Sequence, residues 1–215
     1  MEPRVTLKAM ALSGVLALLL ASCGEAPEAP PLPPDPLTSE EAAQAIALGA
    51  PAAGALGEGL LARLAHAIDS EGLEGATSFC SEAAIPITEE IEAAQAADLS
   101  LKRTTLRWRN PDNAPDQWEE RVLRYLEALE GFDPESVPVE LTAQGPGESL
   151  RYYRPLRAAP MCLNCHGDEG EMDPRVLDII RENYPEDRAT GYEAGELRGV
   201  IRVEIPQEAQ TQGAG

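Results

Sequence analysis

Two cysteines and a histidine fall within the short stretch "MCLNCHG", Met161 to Gly167: Cys162, Cys165 and His166. The order Cys-x-x-Cys-His could hold a haem, a zinc ion or a redox disulfide, and each makes a different demand on the rest of the chain. A structural zinc site needs four ligands. This cluster supplies at most three, and only His66 or Cys80 is left to complete it. A thioredoxin-like redox pair belongs at a helix start in a βαβ context, which is not legible here. Covalent haem needs two thiols at this spacing for thioethers to the two vinyl groups, and a histidine directly after them for the iron. The pentapeptide meets that demand by itself, so covalent haem is the chemistry it predicts.

With His166 as one axial ligand, the opposite face of the iron needs another. Lys102 is the only lysine outside the N-terminal segment. Met161 adjoins the motif too closely to reach the far face, and Met172 reaches it only if its loop wraps round. His66 lies opposite the apolar stripe of its predicted helix and reads as a solvated surface residue. Cys80 aligns at helical period with Leu73, Ala76, Ala84, Ile87 and Ile91, on a buried stripe. That position suits a ligand, and it equally suits a free cysteine buried as a small hydrophobe.

The elements that must position these groups divide the chain. Arg4 and Lys8, an apolar run to Leu20, and then Leu20-Ala21-Ser22-Cys23 read as a signal peptide over residues 1–22 of the bacterial lipoprotein type, with Cys23 lipidated. The protein is then exported, and a lipid anchor is its only membrane contact. Residues 23–37, rich in proline, form a spacer that extends roughly 40 Å. A domain spans 38–206, and 207–215 is a disordered tail. "TSEE" at Thr38 offers a capping box, followed by one helix to about residue 70 and a second over about 73–97. Strands are expected in "KRTTLRWR", "VPVELTA", "SLRYYRPL" and "LRGVIRVEI". In the last, Gly199, Ile201, Val203 and Ile205 alternate with Val200, Arg202 and Glu204. Further helices are expected over 116–130 and 173–183, with Pro174 in the first turn of the latter. The class is α+β: an antiparallel sheet with helices packed on it. The formal charge of −20 repels nucleic acid, so that partner is excluded.

Three longer stretches carry a resemblance. "RTTLRWRNPDNAPDQWE", "PMCLNCHGD" and "YPEDRATGYEAGELRGVIRVEIP", together with the helix bearing "FCSEAA", are similar to the PAS-like mono-haem c-type cytochrome domain. One departure is Thr105-Leu106, where the family often carries a more basic pattern. The resemblance implies a PAS-like fold, with one haem c between the sheet and the N-terminal helices. It also implies a His/Cys ligand pair, in which Cys80 takes the second axial position. Arg109, Arg188 and the pair Tyr152-Tyr153 are then candidates for the haem propionates, while Asn113 and Asp116 read as caps of the helix bearing Trp118. A thiolate ligand favours ferric iron and lowers the potential. The expected function is low-potential electron transfer to a redox partner protein. The alternative is a redox or gas sensor that acts through a separate partner. No nucleophile–base pair is legible, so an enzyme is not expected.

Expressed in a bacterium, the protein should partition with membranes, and Cys23→Ser should release it or leave it unprocessed. Fractionation followed by immunoblotting decides this. Equal solubility of the two forms would argue for a plain secretory signal.

Overall fold

The capping box at Thr38 forms as read: the Thr38 hydroxyl accepts from the Glu41 amide at 3.3 Å, and the Glu41 carboxylate accepts from the Thr38 amide at 2.8 Å. From there the two expected helices form, α1 (Ser39–Ala93) being two helical runs that meet at Gly72. Gly72 has φ +70° and ψ −173°. Side chains rarely tolerate that backbone region, and glycine enters it at no steric cost. The chain reverses there. Arg63 pairs with Glu90 at 2.8 Å, and a Cβ on Gly59 would press on Ile91, so the two halves lie side by side. The computed structural model describes residues 34–95 and 97–212. The signal region, Cys23 and most of the 23–37 spacer therefore lie outside the described residues. Where the spacer ends, the Asp35 carbonyl accepts from the Gln144 amide at 3.2 Å.

The remaining elements are β1 (Ser100–Thr104), α2 (Gln117–Phe132), β2 (Leu141–Gln144), β3 (Leu150–Arg157), α3 (Leu163–His166), α4 (Pro174–Asn183), β4 (Leu197–Ile205) and α5 (Gln207–Gln212). The strands form one antiparallel sheet in the order β1-β4-β3-β2. Two expected strands are shorter than their sequences promised. After Thr104 the chain leaves the sheet, because Arg107 and Arg109 turn to partners between residues 165 and 196. β2 begins only at Leu141, since Val137 packs against α2 and Val139 is exposed. Residues 207–212 form α5 instead of trailing off: Ala209 is buried, and the Gln44 amide donates to the Gln210 carbonyl.

The alternation read in β4 matches its packing. Ile201, Val203 and Ile205 join Leu101, Leu150 and Tyr152 against Ala45, Ala52, Ala53 and Leu56 of α1. The approach is close enough that a Cβ on Gly49 would run into the Tyr152 side chain. By length and composition α1 could cross a membrane, but this small-residue face lies on the sheet. On the other face, Val200, Tyr153 and Ala143 meet Val122, Leu123 and Leu126 of α2. Each large apolar side chain buried in these layers contributes about 1.5–3 kcal/mol.

The α2 face also holds charge. Glu119 is fully buried, and its carboxylate accepts from Arg202 at 3.0 Å and from Lys102 at 2.8 Å. Asp116 caps α2 by accepting from the Trp118 and Glu119 amides, and it also pairs with Arg151. Burial alone would raise the Asp116 carboxyl, but the hydrogen bonds from Arg151 and the two amides outweigh it and hold it at about 2. Arg151 continues to Glu204, so this network crosses from α2 to both central strands.

Glu119→Gln should strand the Arg202 guanidinium without its counter-charge and cost about 3 kcal/mol. Urea unfolding should show a lower midpoint with an unchanged slope. An unchanged midpoint would mean that this charge network does not hold the sheet to α2.

Candidate functional site

Beyond β3, Ala158 is fixed by two backbone bonds, to the Glu196 carbonyl and from the Gly195 amide. Pro160 then opens a single 3-10 turn ending at Cys162, which runs on into α3. Residues three apart on such a turn are neighbours, so Cys162 and Cys165 share a side with His166 directly after them. The segment is held by its backbone. The Arg109 guanidinium donates to the Cys165 carbonyl at 2.6 Å, the Tyr192 amide to the His166 carbonyl at 2.9 Å, and the Gly191 amide to the Gly167 carbonyl at 2.7 Å. Arg109 is itself held by Asp187 at 3.0 Å, with only 13% and 10% of the two side chains exposed. The stretch "YPEDRATGYEAGE" therefore wraps around the Cys-x-x-Cys-His turn.

His166 Nδ1 lies 2.7 Å from the Ala189 carbonyl oxygen. A carbonyl only accepts, so this partner assigns the proton to Nδ1 and leaves the Nε2 lone pair free. Burial pushes the imidazole pKa well below its ordinary value, and the charges of Arg198, Arg109 and Arg103 add to the effect. The Ala189 bond opposes them only in part. The ring is thus neutral and oriented, as metal ligation requires. The Tyr192 ring stands perpendicular to it at 6.4 Å.

The second half of α1 supplies the facing wall. Leu73 packs with Met172, Val176, Ile180, Leu177 and Cys165, and the Thr77 hydroxyl lies 3.5 Å from Cys165 Sγ. Cys80 follows Thr77 by about one helical turn, on the same side. It is partly buried. Burial and the neighbouring Cys165 push its thiol pKa up, while Arg103 and Arg109 pull it down. Cys80, Cys162 and Cys165 are all free thiols.

The other groups singled out in the sequence lie elsewhere. His66 is exposed on the first half of α1, beside Ala62, Arg63, Glu71 and Phe79. Lys102 points to the α2 face. Met161 is exposed, whereas Met172 is buried as packing. Of the four propionate candidates, Arg109 is paired with Asp187, and Arg188 lies over the Trp108 ring at 4.6 Å. The Tyr152 hydroxyl donates to Glu140, and Tyr153 packs on the α2 face. Asp116 caps its helix as read, while Asn110 rather than Asn113 caps the turn before it. The site residues that went unread are Arg103 and Arg198. Arg103 shares with Leu101 the apolar side of β1, and a cation alternating in register with core residues was the available signal.

These residues fit a haem. They offer a neutral imidazole with one free nitrogen, two thiols at attachment spacing, a third thiol on the facing helix, and a buried Arg103 Nε with no partner. Among the described residues no three His, Cys, Asp or Glu side chains converge.

The family model of the Tll0287-like proteins matches residues 32–206. A solved structure, the crystal structure of the cyanobacterial haem-protein Tll0287, is similar with a TM-score of 0.52 and 25% identity. The similarity covers 80% of this chain and 98% of that one. No curated protein matches the sequence.

Arg109→Leu should strand the Asp187 carboxylate and cost about 3 kcal/mol. Adding Asp187→Leu should recover part of that loss, a coupling of about 1–3 kcal/mol in a double-mutant cycle. Strictly additive losses would mean that the pair does not act as a unit.

Proposed function

This chain belongs to the Tll0287-like family, and from that premise and the donor set around His166 we propose that it is a mono-haem c-type cytochrome. In this reading Cys162 and Cys165 hold one haem c through thioethers, each S–H adding across a vinyl group so that sulfur bonds to carbon and the hydrogen passes to its neighbour. His166 Nε2 and the Cys80 sulfur are the groups that would hold the haem iron. The single observation that carries the reading is the His166 Nδ1 bond to the Ala189 carbonyl, with Cys80 on the wall that packs against Cys165.

When bound, haem supplies a one-electron ferric–ferrous couple. The chain's own contribution is orientation and charge. Ala189 fixes the tautomer of His166, and Arg109 fixes the turn that carries it. A Cys80 thiolate adds negative charge beside the iron and so favours the oxidised state, which places the couple at low potential. Electron exchange with a separate redox protein follows as the leading function, without catalysis by the chain. The sheet order, with helices over the haem-facing side, supports reading the fold as PAS-like. The signal read before Cys23 supports an exported protein anchored by lipid to a bacterial membrane.

A second reading is favoured by one observation. Cys80 is partly buried, and burial favours its neutral thiol, so its sulfur would have an uncharged form available when not held by iron. Reduction or a diatomic gas would then change the contact between α1 and the sheet, and the protein would act as a sensor through a separate partner.

Produced with a c-type maturation system, the polypeptide should keep its haem colour through acid–acetone extraction and denaturing electrophoresis, and Cys162→Ala with Cys165→Ala should abolish this. The ferric protein should be low-spin with thiolate-type spectra, unchanged in His66→Ala. Cys80→Ala should turn the iron at least partly high-spin and raise its potential. Ready binding of carbon monoxide by the ferrous protein would favour sensing, and exclusion of it would favour simple electron transfer. A colourless protein that binds zinc tightly would overturn the haem reading.

A further inference from the structure

The chain carries 37 acidic against 17 basic residues, so a cation inside it has carboxylates to choose from. Among the described residues, every Lys and Arg has a carboxylate within salt-bridge distance except Arg103, Arg154, Arg188 and Arg198. Arg154 and Arg188 are exposed, and water serves them. Arg103 and Arg198 are the two that are partly buried, and Arg198 reaches Tyr192, whose ring stands 6.4 Å from that of His166. Each of their charges acts on His166, and that of Arg103 also acts on Cys80 and Tyr184.

Their hydrogen bonding is incomplete as well. Arg103 Nε is buried and has no partner. Arg198 makes only long contacts, to the Arg107 carbonyl at 3.3 Å and the Tyr192 hydroxyl at 3.4 Å. Its remaining neighbour is the Tyr192 ring, 4.9 Å below its guanidinium carbon. Burial pulls both guanidiniums down in pKa, the direction expected of a charge taken from water without a counter-ion. Arg103 stands on β1 opposite Ile201 of β4, and Arg198 is three residues before Ile201 on β4, so they lie near one end of the sheet.

We propose that Arg103 and Arg198 are the seat for the two carboxylates of the haem, each guanidinium pairing with one propionate. This rests on the haem reading above. Haem brings two carboxylates, and the interior around His166 holds two guanidiniums that no carboxylate among the described residues answers. A guanidinium fork matches a carboxylate with two parallel hydrogen bonds, which would satisfy the unpartnered Arg103 Nε. The pairs would thereby orient the haem edge remote from the Cys162 and Cys165 attachments.

The test uses the full-length, covalently loaded protein. Resonance Raman propionate bending bands report hydrogen bonding to the carboxylates directly, and attached haem is counted first by its pyridine haemochrome. In Arg103→Leu and Arg198→Leu, with attachment retained, the bands should shift toward weaker hydrogen bonding and the reduction potential should fall as a cation is lost. Arg103→Lys and Arg198→Lys keep the charge but lose the fork. They should restore the potential while leaving the bands shifted, and they serve where the leucine variants fail to fold. Arg154→Leu should move neither reading. Propionate bands unmoved in the leucine or lysine variants overturn the proposal, even where the potential falls, since the guanidiniums would then answer the Cys80 sulfur instead. Wild-type protein with no covalent haem overturns both this inference and the reading it rests on, and the haemochrome count distinguishes that failure from the first.

Discussion

The site depends on one buried guanidinium. Arg109 reaches from the loop after β1 to the Cys165 carbonyl, and Asp187 holds it there. Three segments far apart in the chain meet at that side chain: the loop after β1, the short helix α3 and the loop around Asp187. Taking Arg109 and Asp187 out of water is costly, and only their mutual pairing with further hydrogen bonds offsets it. The Asp187 carboxylate supplies part of that by accepting from the Ala189 amide. The Ala189 carbonyl in turn fixes the His166 ring. A chain of polar contacts thus runs from Arg109 to the imidazole nitrogen.

The two faces of the sheet handle charge in opposite ways. On the α2 face, Glu119, Arg202, Lys102, Asp116, Arg151 and Glu204 answer one another, and the layer is electrostatically closed. On the α1 face, the small residues of α1 pack dry against Tyr152 and the β4 isoleucines, until the sheet end nearest Cys80 and His166. There the cations are in excess, in a protein whose surface is strongly acidic. A closed network stabilises a layer, whereas an unanswered one is poised to take up an anion.

Local chemistry was legible in the sequence wherever its cause is local. The Cys-x-x-Cys-His spacing, the capping boxes at Thr38 and Asp116, the Pro174 helix start and the β4 alternation each depend on residues a few positions apart. Helical and strand periods therefore placed Cys80 on a buried stripe and Ile201 on a core face before any contact was known. The sequence alone also set the acidic charge and the scarcity of axial ligands, because these are matters of composition.

Only the tertiary structure decided what depends on distant pairing. A helix boundary between about residues 70 and 73 was legible in the sequence, but the direction in which α1 folds back is set by contacts such as Arg63 with Glu90, 27 residues on. Strand ends follow the same rule: "KRTTLRWR" has strand propensity throughout, yet its last residues leave the sheet for partners about 60 to 90 positions away. The ordering of the arginines was equally hidden. Arg109 and Arg188 looked free from their motif, and Arg103 looked like an ordinary strand residue. Whether a charge is answered depends on which carboxylate the fold brings within reach, and spacing along a chain carries no record of that.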